Sequence, residues 1–248
     1  VYRQARDTGR TDLAAHFGAR IARGVRDGGH NRSSLPAYAA LGQHNEPLQI
    51  LLFSPTIAEA AVDQMLPRTD VVPFAGIALQ RNPAPSDNSR NGLMAFVGGA
   101  GFIHSHASGM SMELYGLGQV LGAKSGRTTY GTAENENYYR VFASNNTVVV
   151  NGASRGQGGW NDIGINTVQV AAMEPAVGAP GVSPNHSFTV STFTDDKGTA
   201  AQATQQRTLA IVRTSPTTGY YVDIFRSDSS LANEFHDYIY RNVGDSVT

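Results

Sequence analysis

The segment Gly101-Phe102-Ile103-His104-Ser105-His106-Ala107-Ser108-Gly109 reads as a β-strand that sets two histidines on one face. Side chains two apart on a strand point the same way, so His104 and His106 stand about 7 Å apart at the backbone. Imidazole ligates metals and moves protons near neutral pH; two hydrogen-bonded histidines on a polar strand face are the alternative. Outward from this segment, Leu93–Val97 on one side and Met110–Leu121 on the other carry the same texture. From Pro67 onward glycine, threonine and β-branched residues dominate, and apolar residues recur with period two. Val71–Leu79, Tyr139–Ala143, Thr147–Val150, Thr167–Ala171, Ser187–Phe193, Arg207–Arg213, Tyr220–Arg226 and Glu234–Tyr240 are further predicted strands. Turn clusters at Asn82–Asp87 and Ser215–Gly219 separate them. Many short strands without intervening helices predict an antiparallel β-sandwich.

Residues 1–66 read as helical instead. Asp12 can cap a helix whose apolar stripe is Leu13, Phe17, Ile21 and Val25, ended by Gly28-Gly29. A second turn region capped by Ser34, a short apolar run Leu48–Phe53 and a last helix over Pro55–Leu66 follow. The expected class is α+β: N-terminal helices over 1–66, then a large antiparallel sandwich over 67–248. Val1 is not an initiator methionine and Thr248 closely follows a strand-like run, so the chain is expected to be an internal piece of a longer protein.

Composition excludes several functions. A net charge of −1 makes no whole-chain case for nucleic acid or an anionic membrane, and no apolar run is long enough to span a bilayer. Zero cysteines exclude disulfides, thiolate catalysis and cysteine metal sites. Lys124 and Lys197 are the only lysines among nineteen cationic residues. Arginine suits bidentate binding of carboxylate and sulfate-like groups, although a codon bias produces the same excess.

Three further elements follow the two histidines in order. They are Lys124-Ser125-Gly126-Arg127-Thr128-Thr129-Tyr130, then Tyr138-Tyr139-Arg140, then Asn145-Asn146-Thr147-Val148-Val149-Val150-Asn151-Gly152. Together they resemble the heparinase II/III-like polysaccharide lyases, the group of heparinase II and the oligoalginate lyases. The pattern of that group is H-x-H, D-x-G-x-x-x-Y, a tyrosine-rich stretch, then H-N-T-hydrophobic-D-G. The resemblance runs from Leu66 to the chain end and is densest between Gly98 and Trp160.

The resemblance implies cleavage of a uronic-acid-containing acidic polysaccharide, of alginate or glycosaminoglycan type, by β-elimination. It implies an acidic polysaccharide or oligosaccharide as partner and a periplasmic or secreted location. It also implies that residues 1–66 are the end of an α/α toroid. The toroid's own active-site residues, an Asn or His and a Tyr, have no match here, so this piece alone is expected to be inactive. His104 matches the histidine that faces the substrate carboxylate. Tyr130, Tyr138 and Tyr139 match the family's tyrosines, with Tyr130 and Tyr139 the catalytic candidates beside His104. Alternation along a strand would put Tyr138 and Tyr139 on opposite faces.

His106, Lys124, Asn145, Arg155 and Trp160 are substrate-binding candidates. Arg155 and Trp160 belong to a glycine-rich loop whose indole can stack on a sugar or anchor the core. The family binds zinc with the second histidine, the aspartate and the last histidine. Here His106 is kept, but Lys124 and Asn145 occupy the other two positions. A protonated lysine cannot coordinate zinc and an amide is a poor ligand, so no metal cofactor is expected. A non-catalytic carbohydrate-binding or structural sandwich derived from such a lyase is the alternative function.

Overall fold

The computed structural model describes residues 2–28, 67–83, 91–99, 106–152, 168–195, 203–229 and 231–242. The chain divides into two compact units, Val1–Leu66 and Pro67–Thr248.

In the first unit, α1 (Tyr2–Asp7) and α2 (Thr11–Gly28) are joined through Gly9, whose φ is 75°. The carboxylate of Asp12 sits in the first turn of α2, where the helix dipole favours negative charge, and is gripped by Arg10 (2.9–3.2 Å bonds being normal, here 3.0 and 3.2 Å). The buried positions are Ala14, Gly18 and Ala19. Leu13 and Phe17 of the expected stripe are half-buried, and Ile21 is exposed at 37%. Among the described side chains the buried face of α2 is therefore formed by small residues, and the Val25 side chain lies outside them. The Ser34 turn, the Leu48–Phe53 run and the Pro55–Leu66 helix lie outside the described residues.

The second unit is a sandwich of two larger antiparallel sheets with a small two-stranded one. One has five strands in the order β1 (Thr69–Val72), β2 (Ile77–Asn82), β3 (Leu93–Gly98), β4 (Met112–Gly116) and β5 (Gln119–Leu121). A two-stranded sheet pairs β6 (Val148–Val150) with β11 (His236–Tyr238). The four-stranded sheet runs β7 (Gln169–Glu174), β8 (His186–Asp195), β9 (Ala203–Arg213), β10 (Gly219–Ser229). Period-two patterning shows most clearly on β9, where Ala203, Gln205, Arg207, Leu209, Ile211 and Arg213 are all buried. Leu93, Ala95, Val97, Met112 and Leu114 of the first sheet meet Phe193, Leu209 and Ile211 of the second.

Three predicted strands take a different form. Val71–Leu79 breaks at a 3-10 turn over Pro73–Ala75, because Pro73 withholds a donor and Gly76 adopts φ 61°. Met110–Leu121 is a hairpin, β4 and β5 turning at Leu117 and Gly118, both with positive φ. Tyr139–Ala143 is not a strand: a π-helical turn, Asn135–Tyr139, is followed by a 3-10 turn, Phe142–Ser144. Residues 101–105 lie outside the described residues, and His106–Ser108 has no regular structure.

Candidate functional site

Two backbone hydrogen bonds bring the motif segments together. Ala107 N–H donates to Arg140 O at 2.7 Å, laying the end of the histidine segment against the π turn. Ser125 N–H donates to Ser144 O at 3.0 Å, laying the Lys124 segment beside Asn145. His106, Lys124, Tyr138, Tyr139 and Asn145 thus gather around one irregular stretch, 135–147. Irregular backbone allows this convergence, since a strand would send alternate residues to opposite faces.

At His106, Nδ1 is buried without a hydrogen-bond partner. Burial pushes this imidazole below its ordinary pKa, the charges of Lys124 and Arg140 push the same way, and a hydrogen bond to the Tyr139 backbone opposes them. Burial and the neighbouring cations therefore favour the neutral form of the ring. Arg140 is buried and paired with Glu136, four residues earlier on the same turn.

Tyr138 and Tyr139 lie edge to face, with ring centroids 5.1 Å apart. The expectation that they point to opposite faces is corrected by the π turn, which replaces strand alternation. The Tyr138 hydroxyl hydrogen-bonds Ser125 Oγ at 2.9 Å and accepts from Arg241 Nη2 at 3.0 Å. Since the guanidinium can only donate, the phenolic proton is free to go to Ser125. The Arg241 guanidinium also lies 5.7 Å from the Tyr138 ring centroid and donates to Ala143 O and Asn145 O. Tyr130 is exposed, at 59%.

Asn145 is 1% exposed. Its Nδ2 is committed to Val141 O (2.9 Å) and Ser144 Oγ (3.2 Å), while Oδ1 is buried without a partner. What Asn145 can offer a ligand is that oxygen alone. Asn146, fully buried, ties the region together: its amide donates to Gly122 O and Arg241 O, and its Oδ1 accepts from Arg241 N–H at 2.7 Å.

The residues at the family's three zinc positions do not fit zinc. One imidazole nitrogen and one amide oxygen are the only available donors, and Lys124 adds a positive charge where a dication would sit. Among the described residues no group of three His, Cys, Asp or Glu could hold a metal.

His104, Arg155 and Trp160 lie outside the described residues. Arg241, Ser125 and Asn146 were not singled out by sequence. Arg241 lies 96 positions after Asn145, and no motif spacing links it to Tyr138. His236 holds Ser227 Oγ through Nδ1 at 2.7 Å, a contact between β11 and β10.

Residues 69–181 match the model of the Heparinase II/III-like, C-terminal family. That stretch, a little under half of the chain, is similar to the C-terminal region of the family. A particular relative is an endo-acting ulvan lyase of Formosa agariphila, 40% identical over 233 residues. That alignment covers 90% of this chain and 28% of the relative, so the chain spans less than a third of that protein's length.

Proposed function

We propose that this chain is part of an enzyme that cleaves a uronic-acid-containing polysaccharide by β-elimination. The observation that carries the reading is that Lys124 and Arg140 lie near His106, beside a tyrosine pair of which Tyr138 is held by Arg241. β-Elimination needs this chemistry. A base removes the C5 proton beside the carboxylate, its electron pair forms the C4=C5 double bond, and the C4–O bond breaks. The leaving oxygen then takes a proton from an acid. Positive charge near the carboxylate stabilises the carbanion-like state between these events.

In this assignment His104 neutralises the carboxylate, and a tyrosine exchanges the proton. Tyr130 and Tyr139 remain candidates from motif position. Tyr138 is the best equipped of the three, because Arg241 and Ser125 hold its hydroxyl in one orientation while 36% of the residue stays exposed. Lys124 supplies fixed positive charge without a metal, Asn145 shapes the turn, and Arg155 and Trp160 are assigned to the sugar chain. No cofactor is required. A polymer substrate too large to enter a cell places the enzyme outside the cytoplasm. Among the described residues no helix is long and apolar enough to cross a membrane.

Ulvan, named for the Formosa relative, is the first polymer to try on the full-length protein, with alginate and a glycosaminoglycan beside it. Cleavage is followed by ultraviolet absorbance of the unsaturated product. His104→Ala is expected to lower kcat/KM by at least about two orders of magnitude in a protein that remains folded. Tyr138→Phe is expected to do the same. Near-normal turnover in both folded variants would remove these roles.

A further inference from the structure

At one side of the sandwich the two sheets end in edge strands, β5 on one and β10 on the other. Between them opens a cleft of about 680 Å³, a size typical of ligand sites. Its floor is aliphatic, from Leu93, Met112, Leu114 and Leu121, and the side chain of Tyr221 spans it to donate to Tyr115 O. Tyr238 and Tyr240, two apart in an extended segment, line the opposite wall with their rings about half exposed. Gly122 leaves room for Tyr240: a Cβ there would come within 3.4 Å of the Tyr240 ring.

Among the described residues the lining carries no unpaired charge. Its one carboxylate, Asp223, is held by both ends of the buried Arg207 guanidinium (2.9 and 2.7 Å) and by the Tyr238 hydroxyl. The His106 cluster differs, since the cations Lys124 and Arg140 lie near its imidazole. The cleft and the cluster are nevertheless joined by two adjacent segments. Leu121 and Tyr240 line the cleft, whereas Lys124 and Arg241 reach the cluster. The segments are pinned to each other by Gly122 N–H to Asn242 Oδ1 at 3.0 Å and by Asn146, which bonds Gly122 O and Arg241 O.

We propose that this cleft is a second saccharide site, which takes an uncharged sugar ring against Tyr240 and Tyr238 while the acidic sugar occupies the cluster. The apolar face of a pyranose suits an aromatic and aliphatic wall, and its hydroxyls face the rim threonines Thr217 and Thr218. Among the described residues a charged sugar finds no counter-ion there, and it would lose hydration uncompensated. The pairing of the two sites along one polymer rests on the function proposed above. Binding at the cleft does not.

The test is calorimetric titration of the chain with neutral β-1,4-linked tetrasaccharides of glucose, xylose and mannose, none of them a uronic acid. At least one is expected to bind measurably, with affinity reduced fivefold or more by Tyr240→Ala and kept by Tyr240→Trp. Leu117→Asn is a second probe. Leu117 is an exposed rim residue at φ 55°, where asparagine is better tolerated than leucine, so the fold is kept while apolar rim is lost. It too is expected to weaken binding. No binding by any of the three sugars, or binding that both variants leave within twofold, overturns the proposal. Because the readout is binding of sugars that cannot undergo the elimination, it stands or falls apart from lyase activity.

Discussion

Lys124 decides the electrostatics of the cluster. An aspartate at its position would share a cation with His106; an ammonium repels one, and its charge is felt at the imidazole. With a single imidazole left, the chelate advantage of a three-ligand site is gone. The dialysed protein is expected to contain no stoichiometric zinc by elemental analysis. Zinc at one per chain, lost on His106→Ala, would overturn this reading. A second residue is as decisive for stability. Arg207 is fully buried, yet every donor it directs inward has an acceptor: Asp223, Met110 O and Asn146 O. Its guanidinium also lies 5.2 Å from the Phe225 ring centroid. Removing the arginine strands a mostly buried carboxylate and two carbonyls, so Arg207→Met is expected to cost about 3–5 kcal/mol in urea denaturation. A loss below about 1 kcal/mol would show that the pair can be dissolved without penalty.

Among the elements, the link between β1 and β2 is the most sharply specified. Gly76 closes the 3-10 turn at φ 61°, and a Cβ there would stand 2.6 Å from Val168 O and 2.7 Å from Val168 N. Those are backbone atoms that cannot swing away. Gly76→Ala is therefore expected to destabilise the sandwich by well over about 1 kcal/mol, read as a fall in Tm. An unchanged Tm would mean that the 168 segment yields. This turn also shows what sequence could and could not reveal. Alternation located β3, β8, β9 and β10 because each has one face in the core, and burial with period two writes itself into the residues. It merged β1 with β2 and β4 with β5, since a tight turn changes direction without interrupting the apolar pattern. It misread Tyr139–Ala143 because Tyr, Val and Phe favour strands by propensity, whereas here hydrogen bonds from Ser144 and Asn145 back to Tyr139 and Val141 wind the chain into turns. The candidate site was legible where residues are near in sequence, from His106 to Asn145. Arg241 was not, because its contact with Tyr138 spans 103 positions and depends on the whole sheet arrangement.

Over the whole sandwich, apolar packing is supplemented by polar pins between the sheets. Gln80 on β2 donates to Thr189 Oγ1 (3.0 Å) and Leu209 O (2.8 Å) and accepts from Ser187 Oγ. Arg213 on β9 holds Asn82 through Nε at 2.6 Å and Nη2 at 2.9 Å. Tyr221 on β10 reaches Tyr115 O on β4, across the side where the cleft opens. Each pin fixes the register of one sheet over the other, which apolar contacts alone do only loosely. The Tyr221 pin makes this cohesion pH-dependent. Burial raises its pKa from the ordinary 10.0 to about 12, opposed by hydrogen bonds to the Met94 and Tyr115 backbone and by the charge of Arg213. Above pH 10 the unfolded chain loses this proton while the folded chain keeps it, so the folded state binds more protons and stability falls as pH rises. The contribution is complete below pH 10 and is lost as pH climbs through about 12. Tyr221→Phe removes both the hydrogen bond and the titration. Its Tm is expected below that of the unaltered chain at neutral pH, by the equivalent of about 1 kcal/mol, with the gap narrowing above pH 10. Tyr238, also shifted upward by burial and by Asp223, remains in the variant, so part of the alkaline slope persists. A gap that stays constant from pH 8 to 11 would show that the Tyr221 hydroxyl has the same acidity in the folded and unfolded chain.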